Sequence, residues 1–383
     1  MVLAAAQAVV PYGAAAQSKP AAPSDRGVRE LGGNSSSIAV GESMCMIVQG
    51  GRVACTQANL DERRYHGRVE GSIPENAPSK TIPKAAAWEA VAGLQDTVAL
   101  TAGFRFFCAL SKKGEVRCWG QSPTNQWGSR PSVTLFGNGK KERYSVPQPV
   151  NGLSGPVTAF SAEMAGLCVR LATGNIRCRS PFSKDINWRE LGLRPEQVRS
   201  YVGRENGRCF LSLSGVLKCL LFNEEGSATW SSRDLGPVQL FGFSGGGETL
   251  EGVAALTRGG QLRLCHNLGV EGKADCPQVA NTPANVVEIH KRCLRTRRGE
   301  VYCWSDPADR SQPSGEPLTV LRMDLPEAAI ALSAGIGDPC ARLVSGKVAC
   351  FRWRSPIISK LVPGAVIFAA PALPAAAARP GPG

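Results

Sequence analysis

One spacing recurs along this 383-residue chain and constrains its fold more than any other feature. A cysteine is followed by glycine six residues later, an apolar residue eight later and a second cysteine ten later. The frame occurs at Cys45/Gly51/Val53/Cys55, Cys108/Gly114/Val116/Cys118 and Cys168/Gly174/Ile176/Cys178. It returns at Cys209/Gly215/Leu217/Cys219, Cys293/Gly299/Val301/Cys303 and Cys340/Gly346/Val348/Cys350. A seventh copy keeps Gly260 and Leu262 but carries Ala254 and Leu264 at the cysteine positions. The copies start about 49 residues apart on average, a period at which propeller blades repeat.

Each copy reads as a β-hairpin. Glycine lets the turn take a positive φ that other residues resist. The arms carry β-formers such as Phe106-Phe107, Val116 and Val301-Tyr302. Residues ten apart can then face each other across the two strands, within disulfide range. The divergent copy has lost both cysteines together, as expected if neither is useful alone. Cys265 and Cys276 would close a separate loop, so the 14 cysteines make seven local pairs.

An apolar segment precedes several hairpins and reads as a lead strand: 38–40, 98–100, 157–160, 286–289 and 329–332. Proline-containing stretches follow some hairpins, at 145–150, 236–238 and 316–318, and suit edge strands or loops. One repeat therefore offers a four-stranded blade, and seven make an all-β, seven-bladed β-propeller. The positions one and eight after the first cysteine are apolar in every copy and point to opposite faces, as blades buried on both sides require. Arg170, Arg295 and Arg342 break the pattern two after the cysteine, with stems that can pack while their heads reach water. The expected organisation is a leader and linker over 1–33, the propeller over 34–370 and an Ala/Pro-rich tail over 371–383.

Disulfides at this density belong to oxidising compartments. Zinc is a poor alternative: the chain has no Cys-x-x-Cys and only His66, His266 and His290. Free buried thiols in a reducing compartment are the other reading. The apolar, alanine-rich start, with Ala14-Ala15-Ala16 before Gln17, resembles a signal peptide, although no basic residue precedes Lys19. No stretch reaches the length of a membrane span. Asn34-Ser35-Ser36 is the one glycosylation sequon, with Asn34 as acceptor if the chain is secreted.

Candidate chemistry is sparse. Net charge is +13, which favours acidic partners or a solvated basic surface. The densest basic run is His290-Lys291-Arg292 with Arg295, Arg297 and Arg298; along a hairpin arm its charges would alternate between faces. Long insertions at 56–97 and 120–150 should protrude from one rim and are the expected binding segments. Gly242-Phe243-Ser244-Gly245-Gly246 formally matches a nucleophile elbow, but glycines surround Ser244 where a helix should begin. A Cys–His nucleophile from Cys265/His266 or Cys293/His290 fails on geometry, because in one strand both spacings point to opposite faces. No cofactor, metal site or catalytic residue is expected.

The stretch Cys108-Ala109-Leu110 through Gly114, Val116 and Cys118-Trp119-Gly120, with Val146-Pro147-Gln148-Pro149-Val150, resembles the regulator of chromosome condensation repeats. It is most similar to their cysteine-paired extracellular variants, in the superfamily that includes β-lactamase inhibitor protein II. The resemblance implies a seven-bladed propeller. Family members exchange guanine nucleotide on a small GTPase, inhibit β-lactamases, or form ectodomains of crinkly-type plant receptor kinases. None of the residues for those roles can be matched here. The resulting expectation is a secreted or lumenal, non-catalytic, monomeric binding propeller that presents loops to a protein or anionic glycan rather than to nucleic acid. An intracellular exchange factor or chromatin-associated propeller is the alternative.

Overall fold

The computed structural model describes residues 35–371 apart from 42, 57–87, 104, 122–142, 163–165, 180–185, 187, 205–206, 224–225, 244–251, 267, 269–274, 305–317, 336–338 and 352–364. Seven antiparallel sheets follow one another in chain order, each built only from consecutive strands. Blade 1 comprises Ile38–Val40, Met44–Ile47, Val53–Thr56 and Trp88–Ala90. Blade 2 comprises Thr97–Ala102, Phe106–Ser111, Val116–Gln121 and Arg143–Pro149. Blade 3 has Val157–Ala162, Leu167–Leu171 and Ile176–Arg179, followed by the short helix Trp188–Leu191. Blade 4 comprises Val198–Arg204, Gly207–Ser212, Leu217–Asn223 and Gly226–Ser231. Blade 5 has Val238–Phe243, Gly252–Thr257 and Leu262–His266. Blade 6 comprises Val286–His290, Cys293–Thr296, Val301–Cys303 and Leu321–Arg322, and blade 7 Ala329–Leu332, Cys340–Leu343, Val348–Phe351 and Ala365–Phe368.

The repeat frame explains why the cysteines meet. In blade 2 the Ser111 N–H donates to the Glu115 carbonyl at 2.9 Å, which makes that pair hydrogen-bonded. Antiparallel pairs alternate, so three steps down the ladder Cys108 and Cys118 form a non-hydrogen-bonded pair, the closer type. Their α-carbons lie 4.1 Å apart and the sulfurs are bonded. The same register joins Cys45–Cys55, Cys168–Cys178, Cys209–Cys219, Cys293–Cys303 and Cys340–Cys350. In blade 5 the equivalent pair is Ala254 opposite Leu264, both buried. There the bridge has moved one strand outward: Cys265 bonds Cys276 on a segment whose residues Asp275 and Gln278 pair with His266 and Arg263.

The two apolar frame positions divide between neighbouring interfaces in every blade. Ala109 packs in the cluster between blades 1 and 2, while Val116 packs between 2 and 3. Phe210 faces blade 3 and Leu217 faces blade 5. Leu294 faces blade 5 and Val301 faces blade 7. Met46 and Val348 meet in the cluster that joins blade 7 to blade 1. Seven clusters thus lie between seven sheets, and the ring closes.

Closure is made by packing and by a few backbone bonds, with no strand exchanged between the first and last sheets among the described residues. Ala39 of blade 1 bridges Ala334 beyond the inner strand of blade 7, with hydrogen bonds of 2.8 and 2.9 Å. Trp88 Nε1 in the outer strand of blade 1 donates to the Ala369 carbonyl at 3.1 Å. The inner strands converge on the axis. A β-carbon at Gly335 would lie 2.6 Å from the Val40 carbonyl oxygen and 2.7 Å from Ala102 Cβ, so blades 7, 1 and 2 meet there.

Three expectations need correction. Gly236-Pro237-Val238 is no outer segment: it leads into the inner strand of blade 5. Blades 3 and 5 have three strands each among the described residues, not the four expected of every repeat. The Arg295 head does not reach open water, because Glu288, directly opposite on the inner strand, accepts its Nε hydrogen bond at 2.7 Å.

Candidate binding faces

Because every sheet is a consecutive antiparallel meander, connections alternate between the two rims of the ring. One rim receives the turns between inner strand and hairpin and those between hairpin and outer strand. The other receives the glycine turns of the hairpins and the connectors that run to the next blade. The insertion sites at Thr56/Trp88 and Gln121/Arg143 both open onto the first rim. The inserted segments 57–87 and 122–142 themselves lie outside the described residues, as do Asn34 and Ser244.

The second rim, the hairpin rim, is held by repeated local chemistry. The frame glycines have φ between 70 and 91°. Ser111, Ser212, Thr257 and Thr296, three residues after the first frame position, accept a hydrogen bond on the side-chain oxygen from the N–H four residues on. The turn then docks on its own inner strand. The N–H groups of Lys112, Leu213, Arg258, Arg297 and Val344 donate to the carbonyls of Asp96, Gln197, Pro237, Asn285 and Ala328, at 2.7–3.0 Å. Three glycine carbonyls also reach the next blade: Val157, Val238 and Ala329 donate to Gly114, Gly215 and Gly299 at 2.7–2.9 Å. The residues at the turn tips therefore stand on a fixed frame. Leu213 and Val344 are exposed there at 60 and 63 %.

The basic run singled out in the sequence does not form one patch. His290 is buried at the end of the inner strand of blade 6, and Lys291 and Arg292 make the turn on the insertion rim. Arg295 is paired mid-blade with Glu288. Arg297 and Arg298 are exposed on the hairpin rim, at the other end of the sheet. His290 and Cys293 also differ from expectation: they are direct partners across a tight reversal, so they share a face. The reversal runs through Lys291 at φ 51°, a non-glycine left-handed residue that no glycine announces. Cys293 is bonded to Cys303 and Cys265 to Cys276, so neither sulfur is a thiol.

Two polar contacts link blades 3 and 4. The Tyr201 hydroxyl lies 2.9 Å from Cys168 Sγ, and since that sulfur belongs to a disulfide, the hydroxyl is the donor. Lys218 of blade 4 donates to the Leu191 and Gly192 carbonyls, at 2.5 and 3.4 Å, at the end of the short helix that follows blade 3. Desolvation lowers the Lys218 pKa, and the neighbouring Arg233 charge lowers it further. Among the described residues no group of histidine, cysteine or carboxylate side chains is arranged to hold a metal ion, and no helix is long and apolar enough to cross a membrane.

Comparison with known proteins agrees with this architecture. Residues 98–126 match the model of the regulator of chromosome condensation (RCC1) repeat. Human WBSCR16 superposes with a TM-score of 0.50 at 12% identity, over 74% of this chain and 85% of that one. Yeast RCC1 (Prp20), solved bound to Kap60, gives 0.44 at 15% identity over 87% and 74%. The ectodomain of the Physcomitrella patens receptor kinase CR4 gives 0.44 at 16% identity over 82% and 71%. No curated protein matches the sequence.

Proposed function

This chain is a seven-bladed propeller that carries a regulator of chromosome condensation repeat, and from that premise we propose that it is a secreted, non-catalytic, monomeric binding protein. One observation carries the reading: among the described residues every cysteine is in a disulfide, and every pair is local to one blade. Such bonds persist where the surroundings are oxidising. Each closes a loop of about ten residues, worth roughly 3 kcal/mol in the chain-entropy model. A reducing compartment would forfeit that contribution in every blade.

Binding fits the fold better than catalysis. The inner strands of blades 7, 1 and 2 approach closely at Gly335, and the insertion sites at Thr56/Trp88 and Gln121/Arg143 open at a rim. A rim on a rigid ring presents side chains in fixed positions, which lowers the entropic cost of recognition. The partner class is a protein or an anionic glycan, in keeping with the net charge of +13.

The test uses full-length material from its native source. Thiols are counted under denaturing conditions with and without prior reduction, and a tagged chain is localised. The reading expects thiols only after reduction and a tag in the secretory route or outside the cell. Fourteen reactive thiols before reduction, or a nuclear or cytosolic tag, would overturn it.

A further inference from the structure

The fold assembles a basic surface that the linear sequence conceals. The turn of blade 5 places Arg258 on the hairpin rim, and the turn of blade 6 places Arg297 at the equivalent position, with Arg298 beside it. All three are exposed. The two turns are anchored alike, since the Arg258 and Arg297 N–H groups donate to the carbonyls of Pro237 and Asn285 at 2.7 and 2.9 Å. The blades are neighbours in direct contact: a β-carbon at Gly242 would sit 3.2 Å from Ile289. Sheets packed face to face lie about 10 Å apart, a gap that long arginine side chains span. Arg233, exposed in the short 3-10 turn Arg233–Leu235 leading into blade 5, extends the row towards blade 4.

Among the described residues no ion pair involves Arg233, Arg258, Arg297 or Arg298. Glu288 is committed to Arg295 at 2.7 Å and Glu300 to Arg322 at 3.2 Å. Glu327 binds the Ser345 N–H and hydroxyl. Asp234 and Asp324 lie on the connectors that follow the outer strands, at the two ends of the row.

We propose that the arginine row formed by Arg233, Arg258, Arg297 and Arg298 on the hairpin rim of blades 4 to 6 binds a sulfated glycan chain. The proposal rests on the secreted reading above, since sulfated glycans are polyanions of the extracellular space. Guanidinium groups donate in pairs to sulfate oxygens, and a linear chain can cross adjacent blades without entering a pocket. A row of fixed turns suits a repeating anion better than a folded protein surface, which needs an apolar centre to its contact.

The experiment measures binding of the intact, oxidised protein to immobilised heparin and to chemically desulfated heparin of equal length, across a series of salt concentrations. The variant R258A/R297A/R298A is compared with K112A/K113A/K347A, which removes equal charge from exposed turns of blades 2 and 7 on the same rim. All substituted side chains are exposed, and thermal unfolding verifies that both variants fold. The proposal expects binding to heparin only, a loss of at least about tenfold in the arginine variant, and at most about threefold in the lysine variant. The slope of log affinity against log salt should fall by about two to three in the arginine variant. Equal losses in both variants would mean a diffuse response to net charge and overturn the site. Equal affinity for single-stranded DNA would overturn the glycan assignment. Absence of heparin binding by protein whose thiols are all oxidised would refute this proposal and leave the secreted reading standing.

Discussion

Replacing the hairpin glycines by alanine separates two costs that the frame combines. Gly299 and Gly260 occupy the same place in neighbouring blades and have nearly the same φ, 83 and 79°. Their surroundings differ. A β-carbon at Gly299 would lie 2.7 Å from both Ala328 Cβ and the Ala329 carbonyl oxygen, whereas one at Gly260 would meet nothing within 4 Å. Gly260→Ala therefore carries only the backbone cost of a left-handed residue, about 1–2 kcal/mol. Gly299→Ala adds an overpacking cost of about 1–3 kcal/mol, because the atoms it meets include the backbone of Ala329, whose N–H is held on the Gly299 carbonyl at 2.8 Å. Alanine also restricts the unfolded chain, by about 0.4–1 kcal/mol, but equally in both variants, so this term cancels in the comparison. Urea unfolding of the oxidised protein gives the two losses from the shift in midpoint at constant slope. Gly299→Ala should be the more destabilised by about 1–3 kcal/mol, and Gly114→Ala, 2.7 Å from Pro156 Cβ, should follow it. Equal losses at positions 260 and 299 would refute the claim that hairpin glycines serve the interface to the next blade as well as their own turn.

Trp88→Phe keeps the ring but removes the hydrogen bond to the Ala369 carbonyl, and should cost about 1 kcal/mol. Faster amide exchange in Ala365–Phe368, with unchanged exchange in blade 4, would locate the effect at the closure. Cys265→Ser/Cys276→Ser should leave the inner three strands of blade 5 intact while limited proteolysis gains a cut near residues 275–278; early loss of the whole protein would contradict a bridge at the outer edge. Lys218 titrates below its usual 10.5 in the folded chain, so between the two values the unfolded chain holds more protons and stability rises with pH. Unfolding midpoints measured from pH 8 to 11 should show that rise, weakened in Arg233→Ala, where the like charge is gone, and absent in Lys218→Met.

The buried half of this fold was open to sequence reasoning because its rule is local. A hairpin with a glycine turn fixes the parity of every position on its arms, so cysteine pairing and the opposed faces of Ala109 and Val116 follow from spacing alone. What the sequence does not mark depends on chain reversals without a signature. The tight turn at Lys291 carries no glycine, so His290 and Cys293 read as residues of one strand. The hydroxyl three residues after the first frame position occurs in four copies and could have been found as part of the frame. The extra residue that bulges from the inner strands, at Val98, Thr158, Arg199, Gln239, Val287 and Ile330, leaves no such mark.

The arginine row is hidden in the sequence for a related reason. A linear scan weights charges by proximity along the chain, and so collects Lys291, Arg292, Arg295, Arg297 and Arg298 into one run. In a propeller the relevant neighbour of a turn residue lies one blade away, at the same place in the next repeat. The two ends of a single hairpin are a full sheet height apart, on opposite rims. Aligning the copies by their frame puts Arg258 beside Arg297, about one repeat away in sequence, and sends Lys291 and Arg292 to the other side of the ring. Surface charge in a repeat of this kind is read down the columns of the repeat rather than along the chain.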